Sequence, residues 1–465
     1  MKRERLDSQE IVVCIRDTEE KTKKEISIGK IYGSTIFEQV LDVTGKHKYA
    51  LYEEMENQTW RLDTRLEFGN FIPLERTPLT HPSEPTEYEN EQQLYNTVKA
   101  YIYKHVDVLN PHGYDILTAF VFSTWLQELF DFTPYIGFYG RQETGKSRGL
   151  EVLKELCFRA WHTTSLTTAT LYRLIEKFNP TLLIDESEFL ASQEKKELIG
   201  LLNSGQRRGV LVPRMKGEDS QDFDFYNTYS PKALSGTQEL RKTTTSRMIM
   251  FTMTRNIRPI PRTIDKREGE KLRNQLLMWR FRKIAQLKDA LTLEQKLAGK
   301  TELKATTEFK ELEPLSGRLY ELIFPLYYST PAQEARNAIL EFAKELEQTK
   351  LTAEKTELAS TIFEAILNRK HQAQRNLLLL KDIARYINVS QPPESWIPEK
   401  TVGRKCTQMG FEKTRTNRGT AIILNQQLIE RLRKDPRYST DLTQYGEESV
   451  DSEPKKDSVG NWLDR

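Results

Sequence analysis

Tyr135-Ile-Gly-Phe-Tyr139-Gly140-Arg141-Gln142-Glu143-Thr144-Gly145-Lys146-Ser147 is the stretch on which the fold turns. Its first five residues are a short apolar run with one glycine, and the next eight complete the pattern G-x-x-x-x-G-K-[ST]. An amphipathic stretch from Ser147 to Phe158 follows. Strand, glycine-rich loop and helix in that order make a phosphate cradle. The glycines let the backbone curl until successive N–H groups point at the β- and γ-phosphates, and the helix N-terminus adds its positive end. Lys146 brings a mobile positive charge and Ser147 a hydroxyl ligand for Mg²⁺. All eight residues from Gly140 to Ser147 are therefore candidate nucleotide-binding residues, with ATP and Mg²⁺ as the expected cofactors.

Downstream, Thr181-Leu-Leu-Ile184-Asp185-Glu186 is an apolar run that delivers two carboxylates. In open α/β sheets ligands bind at the C-terminal edge of the strands. Asp185 is placed to hold Mg²⁺ opposite Ser147, and Glu186 to orient and deprotonate an attacking water. The second acid favours hydrolysis over a nucleotide switch or a phosphotransferase. Ser230 to Gln238 reads as another short strand with a polar end, from which either Thr237 or Gln238 reaches the γ-phosphate or the water. Thr243-Thr-Thr-Ser246-Arg247 then precedes a buried-strand candidate, Met248 to Phe251. An arginine so placed is a candidate finger for a neighbour's nucleotide, or else the partner of a local carboxylate, with Arg241 in reserve. A strand candidate at Ala160 to Thr164 and a helix at Thr168 to Phe178 complete the alternation. Strands and helices at this spacing predict a parallel sheet wrapped in helices.

Further out the pattern changes. Residues 10 to 75 alternate short β-prone runs with turns, predicting a small β-rich module over 1–80. Pro82 to Glu91 carries glutamates and prolines without a basic residue and reads as a linker, 81–92. The ATPase domain spans 93–285 with its preceding helices, and 286–370 is a helical connecting region or lid. Over 371–434 an apolar helix (Leu377 to Ile387) is followed by a second helix ending at Gly410 and a hairpin with a basic turn at Asn417-Arg418-Gly419. That succession is a winged helix-turn-helix, and Arg404, Lys405, Lys413, Arg415 and Arg418 are its candidate DNA contacts. The polar, acidic segment 435–465 has no periodicity and reads as disordered.

Composition narrows the class. With 465 residues, 37% hydrophobic and 10% aromatic, the chain can build about three domains at ~150 residues each. Its most apolar stretch, near 119–130, is interrupted by Ser123, Thr124, Gln127 and Glu128, well short of the ~18 apolar residues of a membrane span. No apolar region follows the charged start, so a cytoplasmic location and no membrane partner are expected. Cys14, Cys157 and Cys406 lie far apart, which suits a reducing compartment and predicts no zinc site. Charge is uneven: 241–283 holds 13 Lys/Arg against 3 Asp/Glu, and 400–434 holds 9 against 2. Two basic zones on a nearly neutral chain point to local anion-binding surfaces.

The P-loop, Asp185-Glu186, the polar strand end and Ser246-Arg247 together resemble AAA+-type ATPases. More closely, they are similar to the helicase-like ATPases of archaeal and bacterial plasmids and viruses, akin to superfamily III and minichromosome maintenance helicases. The resemblance implies a ring, commonly a hexamer, with ATP between subunits and single-stranded DNA in the channel. It also implies that Arg207 to Tyr226 forms a channel hairpin whose Arg214 and Lys216 touch phosphates, and that the winged helix meets duplex DNA. The Val-Gly-Arg and Met-Gly-Phe steps at 402–404 and 409–411 resemble the C-terminal winged helix of the same ATPases. The chain departs from the pattern in that the 130 residues before the P-loop show no D-x-D on a strand, so no priming activity is expected. A ring-forming replicative helicase is the expected function. An ATP-gated initiator that does not translocate and a AAA+ remodeller of a protein partner are the alternatives.

Overall fold

The computed structural model describes residues 24–56, 59–185, 196–215, 222–237, 242–289, 309–315, 317–355, 358–389, 391–435 and 438. The chain divides into two compact units, 1–345 and 346–465. The expected tail falls outside the described residues except for Asp435 and Tyr438.

Alternating patterns build the start of the first unit. A parallel pair, β1 (Glu25–Ile26) and β6 (Phe71–Ile72), flanks a four-stranded antiparallel sheet. The sheet runs β2 (Gly29–Tyr32), β3 (Thr35–Leu41), β4 (His47–Glu54) and β5 (Trp60–Arg65). Phe37, Tyr49, Leu51 and Phe71 form its aromatic-rich core. One inward position is charged. Glu38 on β3 is 3% exposed and lies 2.7 Å from Arg159 and 3.0 Å from Arg280. Arg280 also meets Glu128 at 2.5 Å and stacks on Phe158.

These arginines belong to the α/β body, so the β-module is built into it. The stretch expected as a linker is likewise packed. Ser83 N–H donates to Asn274 Oδ1, Thr86 N–H donates to the Asn274 carbonyl, and Arg282 pairs with Glu87. Breaking a buried ion cluster from one side leaves uncompensated charge, which costs about 3–5 kcal/mol. Glu38→Ala should lower the unfolding free energy by about that amount in denaturant titrations. A change under ~1 kcal/mol, the value of exposed pairs, would mean that the module is merely tethered.

Two apolar-faced helices follow, α1 (Glu91–His105), capped by Asn90, and α2 (Gly113–Thr124). The centre of the body is a five-stranded all-parallel sheet. It comprises β7 (Tyr135–Tyr139), β8 (Ala160–Thr163), β9 (Thr181–Ile184), β12 (Lys232–Gly236) and β13 (Met248–Thr252), in the order β13-β7-β12-β9-β8. Strands buried on both faces read as unbroken apolar runs, and Leu182, Leu183 and Ile184 are fully buried. The helices between the strands are α3 (Lys146–Leu156), α4 (Thr168–Phe178), α5 (Lys196–Ser204) and the short α6 (Lys242–Thr245). An antiparallel hairpin, β10 (Leu211–Met215) and β11 (Phe223–Asn227), precedes β12. Then come α7 (Lys266–Asp289), α8 (Gly317–Ser329) and α9 (Gln333–Lys355). Among the described residues no helix is long and apolar enough to cross a membrane.

The second unit packs α10 (Leu358–Arg369), β14 (Leu377–Leu379), α11 (Leu380–Asn388), α12 (Glu399–Gln408), β15 (Lys413–Thr416), β16 (Gly419–Ile423) and α13 (Gln426–Arg433) around one apolar cluster. The sheet order is β14-β16-β15, all antiparallel. The run read from sequence as one helix is a strand for its first three residues, where Leu377–Leu379 pairs with β16. Gly403 lets α12 approach α11, since a Cβ there would stand 2.7 Å from Leu380 Cδ1.

Candidate functional site

β7 carries the chain through the sheet to its C-terminal edge, where Gly140 opens the loop. A Cβ on Gly140 would lie 2.2 Å from the Met253 carbonyl oxygen, so only glycine fits. Thr144 Oγ1 donates to the Arg141 carbonyl at 2.8 Å and closes the loop. Glu143 and Gly145 adopt positive φ of 60° and 85°, turning the backbone into α3 at Lys146. Lys146 Nζ donates to the Arg141 carbonyl at 2.6 Å and so lies over the loop. Arg141, Gln142 and Glu143 are exposed.

The acid predicted to face this loop does so. Asp185 follows β9 directly, is 9% exposed, and accepts from Ser147 Oγ at 3.2 Å. Ser235 Oγ on β12 donates to the same Oδ1, and His162 Nε2 on β8 stands 3.9 Å from Oδ2. Burial lowers the His162 pKa, against the opposing pull of Asp185. Three neighbouring strands and the loop helix thus converge on one carboxylate. Ser235 and His162 were not singled out in the sequence. Their signal was a polar residue inside an apolar strand at the acid-bearing edge. Among the described residues no group of three or more His, Cys, Asp or Glu side chains surrounds a metal position. The Ser147 hydroxyl and Asp185 carboxylate nevertheless suit Mg²⁺, a hard cation that takes few protein oxygens and completes its shell with water and phosphate.

A cavity of about 290 Å³ adjoins the loop. It is bounded by 105–107 at the end of α1, by Glu143, Gly145 and Arg148, and by the 253–262 segment after β13. Arg148 donates to the carbonyls of Pro261 and Arg262 at 3.4 and 2.5 Å, tying that segment to α3. Asp107 pairs with Arg258 at 3.3 Å and accepts from Ile257 N–H at 2.7 Å.

No family model matches the chain, and no curated protein matches it. Among solved structures it is similar to the NrS-1 C-terminal region, at 11% identity over 84% of this chain and 96% of that one, with a TM-score of 0.34. It is also similar to the JCV helicase, at 12% identity, coverage of 60% and 66%, and a TM-score of 0.23. For Drosophila ORC bound to DNA the values are 12%, 75% and 94%, and 0.19.

The remaining candidates are dispersed. Arg247 immediately precedes β13, whose first residue pairs with Tyr135 at the start of β7. The loop leaves the other end of β7, so Arg247 stands at the opposite edge of the sheet. Burial, then the nearby Arg318, lowers its pKa. Thr237 is exposed just beyond β12. Glu186, Lys216, Gln238 and Arg241 lie outside the described residues.

Arg214 was expected to face DNA. It instead turns toward the body, 2.8 Å from Glu197 and 5.1 Å from the Tyr172 ring centre. The opposite hairpin face exposes Leu211, Met215, Phe223 and Phe225. In the second unit Arg404, Lys413, Arg415 and Arg418 are exposed and Lys405 is half-buried. Arg418 donates to Gln374 at 3.1 Å.

Proposed function

We propose that the chain is an Mg²⁺- and ATP-dependent DNA translocase, a ring-forming replicative helicase of a plasmid or virus. The observation that carries this reading is the 3.2 Å contact between Ser147 and Asp185 across an intervening strand. Inserting β12 between the loop strand and the acid strand leaves room for a γ-phosphate and a water beside the polar end of β12. The order β13-β7-β12-β9-β8 sets β12 between the loop strand and the acid strand.

In this reading the loop N–H groups and Lys146 hold the β- and γ-phosphates. Ser147 and Asp185 would hold Mg²⁺, which neutralises phosphate charge when bound. Glu186 takes a proton from water as its oxygen bonds to the γ-phosphorus. The bond to the β–γ bridging oxygen breaks, and ADP leaves. Thr237 or Gln238 orients the water. Ser235 fixes the Asp185 carboxylate.

The second unit supports the DNA role as a winged helix. α10, α11 and α12 precede a hairpin wing, β15–β16, and alternation along β15 sends both Lys413 and Arg415 outward. Arg404 on α12 adds charge to the recognition helix. In the hairpin, Arg214 braces the structure and Lys216 is left as its phosphate contact. One observation favours the second reading, a remodeller of a protein partner: the outer hairpin face is apolar.

ATP hydrolysis with and without single-stranded DNA separates the two. A motor is stimulated by DNA, and an unchanged rate would remove the translocase reading. Arg404→Ala and Arg418→Ala should each lower the salt slope of duplex binding by about one unit, since each removes one phosphate contact. Stimulation by single strands should persist in both. Slopes equal to wild type would take these residues out of the DNA contact.

A further inference from the structure

The basic zone 241–283 divides in the structure into cations committed to carboxylates and cations that are not. Arg258 pairs with Asp107 at 3.3 Å, Arg273 with Glu155 at 2.8 Å and Arg280 with Glu38 at 3.0 Å. Arg282 pairs with Glu87 at 2.6 Å and Lys283 with Glu91 at 2.9 Å. Arg255, Arg262, Lys266, Arg267 and Lys271 are exposed, and among the described residues none of the five forms an ion pair. The acids of the zone do not answer them. Lys104 on α1 takes up two, at 2.7 Å from Glu268 and 3.7 Å from Asp265, and the third, Glu270, is half-buried.

These charges are presented from a fixed backbone. Ile257 N–H donates to Asp107 at 2.7 Å, and Arg258 lies over the Tyr103 ring at 3.9 Å while donating to the Tyr103 and Val106 carbonyls. Arg148 donates to the carbonyls of Pro261 and Arg262. Arg255 and Arg262 therefore leave a braced segment, and Lys266, Arg267 and Lys271 leave the first turns of α7. Groups held in place lose less entropy when a partner docks.

Composition says what kind of partner fits. The centre of a protein–protein interface gathers aromatic residues and sheds charge. Residues 254–271 include no aromatic side chain, and their one large exposed apolar side chain is Ile257, at 83%. Interfaces with nucleic acid are more polar and far more positive, and at least about half of their hydrogen bonds go to phosphate and sugar. The ATPase body otherwise lacks such a contact among its described candidates, since Arg214 is held by Glu197. Extending the reading of a nucleic-acid partner, we infer that 255–271 binds the phosphate backbone of a nucleic acid, a contact made by neither the hairpin nor the second unit. Phosphate contacts carry no sequence information, so this surface binds without sequence preference.

Anisotropy titrations of the whole protein with labelled single-stranded and duplex oligonucleotides, from about 50 to 200 mM salt, test the assignment. Arg255→Ala, Arg267→Ala and Lys271→Ala should each lower the slope of log affinity against log salt, by about 0.7 for a single strand or 0.9 for a duplex. Together they should lower it by about two units or more. Arg267→Lys keeps the charge and should keep the slope. Arg282→Ala removes a cation of the same zone that Glu87 already holds, and should leave the slope unchanged. A wild-type slope in the triple variant overturns the inference, as does an equal fall in Arg282→Ala. So does displacement by polyglutamate as effective as by unlabelled oligonucleotide, which would assign the surface to an acidic protein. The three side chains are exposed, so the triple variant should melt with the wild type; if it does not, the single variants decide. A wild type that binds neither oligonucleotide would remove the nucleic-acid partner altogether, a different result from unchanged slopes.

Discussion

Lys146→Ala should show no saturable nucleotide binding, whereas Glu186→Gln should bind ATP like the wild type and hold it unhydrolysed. The two positions meet different atoms. Lys146 lies over the loop, and on the proposed reading its charge faces the phosphates in ground and transition states alike. Glu186 follows in sequence the acid that contacts Ser147, and on the proposed reading its carboxylate matters only when water loses a proton. A group of that kind changes turnover without changing binding. The expected loss in Glu186→Gln is at least about 10³-fold in turnover. Equilibrium binding of a fluorescent ATP analogue, read beside single-turnover hydrolysis, separates the outcomes. Near-wild-type turnover in Glu186→Gln would place the base elsewhere.

The loop between β7 and α3 and the place of Asp185 beside Ser147 were legible in the sequence because both rest on short runs of neighbouring residues. Gly140 must be glycine to clear Met253, and the Lys-Ser pair must open the helix. The parallel sheet was legible too, since strands buried on both faces show as bare apolar runs. Long-range polar pairing was not. Glu38 and Arg280 are 242 residues apart, and nothing near either one announces the other. The acidic stretch at 82–91 looked like a tether because composition cannot show that Glu87 and Glu91 meet Arg282 and Lys283.

Arg214 illustrates a second limit. Alternation along β10 puts it on the side facing α4, but only the hairpin's placement tells which side that is. Leu377–Leu379 illustrates a third, since a short apolar run suits a strand or a buried helix equally.

The second large effect concerns Arg247. It lies at the start of β13 and the loop at the far end of β7, with five strand residues between them. At ~3.3 Å per residue that separation is about 16 Å, more than an arginine side chain spans. Arg247 therefore cannot complete the nucleotide site of its own chain. If it stabilises transition-state charge, it does so for a neighbour, and removing it should lower turnover by about 10³- to 10⁵-fold. In the proposed head-to-tail ring the claim is testable, since each interface would need Lys146 from one subunit and Arg247 from the next. Arg247→Ala and Lys146→Ala proteins should each be inactive alone. Mixed at random they should regain activity, because about one interface in four joins an intact loop to an intact finger. If the mixture assembles yet stays as inactive as either parent, Arg247 is not the finger, and Arg241 becomes the residue to test.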